Sequence, residues 1–244
     1  MKTIKELKSA ARQSLSGKWG SSAVLCLVYF VLTFVLCYVV TLLEDLFTSD
    51  YDPSQGSLSG IIFYLILAIM FLPLYWAFIV VFLNVACGNS CKIGNLFDGY
   101  NDFGRICGTM LLQTVYIWLW SLLLLIPGII KYYSYALTPY ILNDDSYLSY
   151  NGAIDKSMAM MKGHKKDLFL LDLYSIGWII IGYGLICLLN QFLFEHKIRD
   201  MIFTFILPPI FISLFWLIPY WKTARAHFYL DLKAQQEQTS VEGV

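Results

Sequence analysis

GTMLLQTVYIWLWSLLLLIPGIIKYYSYALTPYIL, residues 108–142, is the stretch whose reading decides the fold. Apart from Gln113 and Lys131 it is almost wholly apolar or aromatic. Drawn as one helix it would be about 52 Å long at 1.5 Å per residue, far more than the ~30 Å hydrocarbon core of a bilayer. Pro127-Gly128 in its middle is a turn signal. A tight hairpin there makes a chain of six spans, whereas one span followed by an interfacial segment makes five.

The rest of the chain has the same character. Apolar residues make up 58% and charged residues 14%, against roughly 25% charged in soluble domains. A soluble core of this size has too little interior volume to hide so much apolar surface. Lipid can take it, so the reading is an all-α, polytopic transmembrane bundle. Runs long enough to cross fall near 21–43, 60–86, 108–126, 129–142, 168–190 and 201–219, with the fourth short and Pro73 expected to kink the second. They form one domain over 1–233, followed by a polar tail, 234–244, expected to be disordered. No cleavable signal peptide is expected, because the first 20 residues are too polar to hold its apolar core.

Charge decides between six spans and five, since Lys and Arg favour the cytoplasmic side. With six spans and the N-terminus inside, the inner segments hold Lys2, Lys5, Lys8, Arg12, Lys18, Lys92, Arg105, Lys156, Lys162, Lys165, Lys166, Lys222, Arg225 and Lys233. Only Lys197 and Arg199 fall outside. Five spans would bring Lys156 and every later inner cation to the outer face. The loop 44–59 carries four acids and no base, which suits an outer position. Six spans with both termini cytoplasmic is therefore the expected topology.

Short amphipathic elements precede the hairpins. Ile4, Leu7, Ala11 and Leu15 share one helical face, as do Tyr150, Ile154, Met158 and Met161 after a candidate N-cap, Ser149. Each is expected to lie at the membrane interface and to end at a glycine followed by cations, Gly17-Lys18 and Gly163-His164-Lys165-Lys166. Residues 96–105 form a weaker middle copy. The chain thus reads as three repeats of interfacial helix plus transmembrane hairpin.

Leu125-Ile126-Pro127-Gly128-Ile129-Ile130-Lys131, Leu137-Thr138-Pro139-Tyr140, Ser157 with Met161-Lys162-Gly163-His164, Ser175-Ile176-Gly177-Trp178 and the closing Pro219-Tyr220 and Ala226-His227-Phe228-Tyr229 together resemble the bacterial family called domain of unknown function 975. More distantly, the chain is similar to the membrane region attached to some glycerophosphodiester phosphodiesterases. The first resemblance covers nearly the whole chain. It implies the plasma membrane of Gram-positive bacteria and carries over no catalytic residue.

Several residues stand out as functional or structural candidates: Lys131, Asp172, Pro127, Gly128 and Gly163. Lys131 is either a functional charge within an apolar context or a side chain snorkelling to the headgroups, and the second reading is preferred. Asp172 is expected to face the inner headgroups or to pair with Lys165 or Lys166. Gln113, Asn84, Asn190 and Gln191 are expected to hydrogen-bond between helices. Trp76, Trp118, Trp120 and Trp178 read as interhelical packing, and Gly104/Gly108 as a weak small-residue pair. The six cysteines read as buried thiols without a metal or disulfide pattern.

No hydrolase, metalloprotease or phosphate-loop motif is present. Zero net charge gives no sign of nucleic-acid binding. Membrane lipids and other membrane proteins, or further copies of the chain, are the expected partners, with no cofactor. The preferred function is a non-enzymatic accessory, assembly or envelope-homeostasis factor. The alternative is a small transporter or lipid translocase.

Overall fold

A computed structural model describes residues 2–48, 58–192 and 207–242. Among them every regular element is helical. In chain order these are α1 Ile4–Leu15, α2 Trp19–Thr48, α3 Leu58–Ala86, a 3₁₀ segment Ile93–Tyr100, α4 Phe103–Leu123, α5 Leu125–Ser134, α6 Thr138–Asp144, α7 Tyr150–Met160, α8 Lys165–Phe192 and α9 Leu207–Glu242. Among the described residues, three helices are long and apolar enough to cross a membrane: Trp19–Glu44, Ile62–Ala86 and Phe103–Leu123. Asp50, Asp52, the loop with His196, Lys197 and Arg199, and the start of the 201–219 run lie outside the described residues. So do the side chains of Trp178, Cys187, Asn190 and Gln191.

The chain packs as two compact units. The first comprises Met1–Cys26, Phe82–Ser90 and Lys162–Val244. Here α1 begins with a capping box in which the Thr3 hydroxyl accepts from the Glu6 amide and the Glu6 carboxylate accepts from the Thr3 amide. That pairing satisfies two of the orphan donors at a helix start. The apolar face expected of α1 is sealed within the protein: Leu7, Ala11 and Leu15 are buried, and α1 packs on α9. Period alone identifies an apolar face without saying what covers it. The Lys2 amide donates to Asp231 (2.8 Å) and ties the start of the chain to α9.

Gly17 and Gly163 both take left-handed φ, +75° and +90°, each between a short helix and a long one. This is the conformation glycine adopts without the Cβ penalty, and it ends a helix. A third left-handed glycine, Gly88, closes α3 with a paired cap: its amide donates to the Val85 carbonyl and the Asn89 amide to the Asn84 carbonyl. Lys18 donates to the carbonyls of Gly88 (2.6 Å) and Asn89 (2.8 Å), placing a cation at a helix C-terminus. The middle copy has no such glycine before α4. The expected disordered tail continues α9 to Glu242; its Gln and Ala are good helix formers, and Gln235 bonds Asp231 one turn back.

The second unit comprises Leu27–Val81 and Cys91–Met161. Pro73 lies inside α3 and, lacking an amide hydrogen, cannot bond the Ile69 carbonyl. The Cys107 thiol donates to that carbonyl (3.7 Å), and the Tyr100 hydroxyl donates to the neighbouring Met70 carbonyl (2.7 Å). Gly99 makes this approach possible, since a Cβ there would stand 2.3 Å from the Pro73 carbonyl oxygen.

The hairpin after α4 turns at Leu124, which is extended (φ −161°, ψ 144°), not at Pro127-Gly128. Pro127 falls in the first turn of α5, where its missing donor costs nothing. α5 then folds back along α4, and the run 129–142 is not one helix. Pro139 would clash with the carbonyl four residues earlier, so the chain breaks at 135–137 and restarts as α6 with Pro139 in its first turn. Of the face expected for this element, Ile154 and Met161 are buried, Met158 is partly covered and Tyr150 is exposed, while Ala153, Ser157 and Met160 join the buried side. Ser149 occupies the N-cap position without a side-chain cap bond.

Candidate functional site

Asp172, on α8, is a buried acid of the first unit. Its carboxylate lies four residues into an apolar run and is 4% exposed. Arg225 on α9 meets it side-on, Nε donating to Oδ1 (2.8 Å) and Nη2 to Oδ2 (2.5 Å). Trp221, one turn before Arg225, adds Nε1 to Oδ1 at 2.7 Å, and its ring carries the guanidinium at 4.9 Å. A planar fork matched to a carboxylate is the geometry that makes a buried pair tolerable. The expected partners Lys165 and Lys166 do not pair with it. Trp221 and Arg225 sit at i and i+4, so both point to one side, but nothing in that spacing names Asp172 as what they meet.

Lys131 belongs to the second unit. Its ammonium stands 4.7 Å from the Trp120 ring centroid and 5.8 Å from that of Tyr135, with the Met158 sulfur at 3.9 Å. The cation therefore rests on aromatic faces, an attraction that strengthens as water is removed. Gly128 permits the hairpin that brings Trp120 and Lys131 together: a Cβ there would lie 2.9 Å from the Ser121 Cα.

Three further residues hold the broken segment. The Ser157 hydroxyl donates to the Ser134 carbonyl (2.9 Å) and accepts from the Leu137 amide (3.2 Å), joining the end of α5 to the start of α6. Arg105, ion-paired with Asp102, donates from Nη1 to the carbonyls of Leu142 (3.1 Å), Asp145 (3.4 Å) and Leu148 (3.1 Å) at the far end of α6. Trp76 donates to the Pro139 carbonyl (3.0 Å).

Of the remaining candidates, Gly163 serves as a helix terminator with open space around it. Gly104 is likewise unobstructed, but Gly108 receives the Tyr150 ring, and Tyr150 itself adopts φ +48° with its amide donating to Thr109. Gln113 does not form the expected interhelical bond; its buried Oε1 meets no donor among the described residues. Cys26 and Cys107 are buried as expected, whereas Cys37 and Cys87 are exposed. Among the described residues no three His, Cys, Asp or Glu side chains come together as a metal cluster.

Residues 1–137, and again 122–236, match the family described as Protein of unknown function (DUF975). This chain belongs to that family. No curated protein and no solved structure matches it. The Pro127-Gly128 and Lys131 run lies in the stretch shared by the two DUF975 matches, and Asp172, Trp221 and Arg225 lie in the second.

Proposed function

We propose that this DUF975 protein is a six-span protein of the bacterial plasma membrane, both ends cytoplasmic, that acts by association and not by catalysis. It contacts membrane lipids and other membrane proteins or copies of itself, as an accessory, assembly or envelope-homeostasis factor. One observation carries the reading. The turn from α4 to α5 presents Leu122, Leu123, Leu124, Leu125 and Ile126 at 67–75% exposure, with Trp118 and Leu119 beside it. An apolar patch of that extent marks a surface for lipid or protein. Meanwhile Asp172 and Arg105 are held by internal partners.

Purification in mild detergent followed by intact-complex mass measurement tests it. Retained lipid, a partner protein or self-association is the expected result; a bare monomer in every preparation overturns it. Topology is read with Tyr147→Cys, 97% exposed in the wild type, in a background without native cysteines. An impermeant maleimide is expected to label it only after permeabilisation, and labelling from outside intact cells refutes the orientation.

A second reading, a small transporter or lipid translocase, draws on the interrupted helix beside Lys131. Broken spans often surround transported substrates. Here Ser157 mends the break, which favours a structural use. Solute or lipid flux in reconstituted vesicles that fell with Lys131→Ala would reinstate transport.

A further inference from the structure

The outer side of α1 carries a groove that the packing does not use. Lys5, Lys8, Ser9 and Arg12 line it with Trp19, the first residue of α2, and Tyr220 of α9, around an open depression of about 660 Å³. That is within the range of small-ligand sites. Positions 5, 8 and 12 follow the three-and-four spacing that stacks side chains on one helix face, so three like charges are set side by side. α1 cannot rotate to disperse them, because Leu7, Ala11 and Leu15 on its other face are sealed in the core.

Lys8 leans over the Tyr174 ring at 5.9 Å, an aromatic contact that leaves its charge in place. Among the described residues no carboxylate pairs with Lys5, Lys8 or Arg12. The nearest acid in sequence, Glu6, is committed to the Thr3 cap. Lys18, by contrast, is committed to the end of α3. The groove cations are thus distinct from the structural one.

The aromatic side fixes the level of the groove. Trp19 opens a helix stretch apolar enough to cross a membrane, and its ring lies 5.7 Å from that of Trp216. Tyr220 follows the apolar stretch that ends at Pro219. Trp and Tyr concentrate where hydrocarbon gives way to headgroups. Cations, hydroxyls and an aromatic wall at that depth match a phosphate diester with acyl chains running down beside the spans. Arg offers such a phosphate a planar fork, and Lys a compact point charge.

We propose that this groove binds the headgroup of an anionic phospholipid of the phosphoglycerol type, with Lys5, Lys8 and Arg12 on the phosphate. The inference rests on the membrane-spanning reading above. That parent reading is checked separately, by whether the protein stays in the membrane pellet after alkaline carbonate washing.

The test titrates the full-length protein in detergent with short-chain phosphatidylglycerol, phosphatidylcholine and inorganic phosphate, counting bound molecules by native mass spectrometry. Two triple variants remove equal charge: Lys5→Gln/Lys8→Gln/Arg12→Gln in the groove and Lys92→Gln/Lys162→Gln/Lys166→Gln elsewhere. Phosphatidylglycerol is expected to bind at least tenfold tighter than phosphatidylcholine. The groove variant is expected to lose at least tenfold, and the control less than twofold. Equal losses in both variants, or no preference for the anionic lipid, overturn the site. Inorganic phosphate binding as tightly as the lipid overturns the lipid assignment in favour of a free anion. Should the groove triple melt early, the single variants Lys5→Gln and Arg12→Gln, at exposed positions, carry the same comparison with severalfold losses.

Discussion

Asp172→Ala should be among the most costly single substitutions in the protein, for a reason that can be worked from the geometry. The change deletes the acceptor of two Arg225 bonds and one Trp221 bond. It takes from Arg225, whose side chain is 9% exposed, the carboxylate its guanidinium forks onto. Removing one partner of a buried pair costs about 3–5 kcal/mol, because the other charge stays desolvated. At roughly 2–4 °C per kcal/mol for a chain of this size, the melting temperature should fall by about 6–20 °C. Replacing both partners by apolar groups, Asp172→Leu with Arg225→Met, removes the stranded charge as well. That double variant should recover most of the loss, since apolar replacement of a buried pair is often neutral. The assay is thermal unfolding in detergent across wild type, both singles and the double. The reasoning fails if Asp172→Ala costs less than about 1 kcal/mol, or if the double is no more stable than Asp172→Ala alone.

Ser157→Ala orphans the Ser134 carbonyl and the Leu137 amide together, an expected loss of about 2–4 kcal/mol in the same unfolding assay. Ser157→Thr should lose less than Ala, as it keeps the hydroxyl. Gly163→Ala should cost about 1 kcal/mol from the left-handed backbone alone, because the added Cβ would meet open space; Gly163→Asn should cost less. Burial, and then Lys2 nearby, holds His227 below its ordinary value of 6.5. Its neutral form bonds Ser14 (2.8 Å). The unfolded chain therefore takes up the proton first, so this stabilisation is complete above 6.5 and is lost as pH falls through the lowered folded value. His227→Gln should flatten stability over that acid range; an unchanged slope refutes the assignment.

Hydropathy was enough to place α2, α3 and α4, since a long apolar helix is recorded in consecutive residues. The Pro127-Gly128 turn was misplaced by about one helical turn because proline suits both a turn and the first turn of a helix. Only the position of the extended Leu124 separates the two. The split of 129–142 could have been anticipated from Pro139, whose ring excludes the preceding turn. The α1 face was legible as apolar, but lipid and α9 are equally apolar covers. Asp172 drew attention as a charge in an apolar run, yet its partner lies 53 positions away, a distance no local pattern encodes. The groove cations were visible as residues but not as a group left without acids.

Pro73 has a consequence for how the chain is made. A nascent segment leaves the ribosome N-terminus first, so the Met70 carbonyl emerges 30 residues before Tyr100 and the Ile69 carbonyl 38 residues before Cys107, which cover them. During that interval the second apolar segment carries the Ile69 carbonyl, which Pro73 cannot cap, into its surroundings. A chain stalled before Tyr100 should therefore hold this helix bent near Pro73, and release of a further stretch of polypeptide should close it.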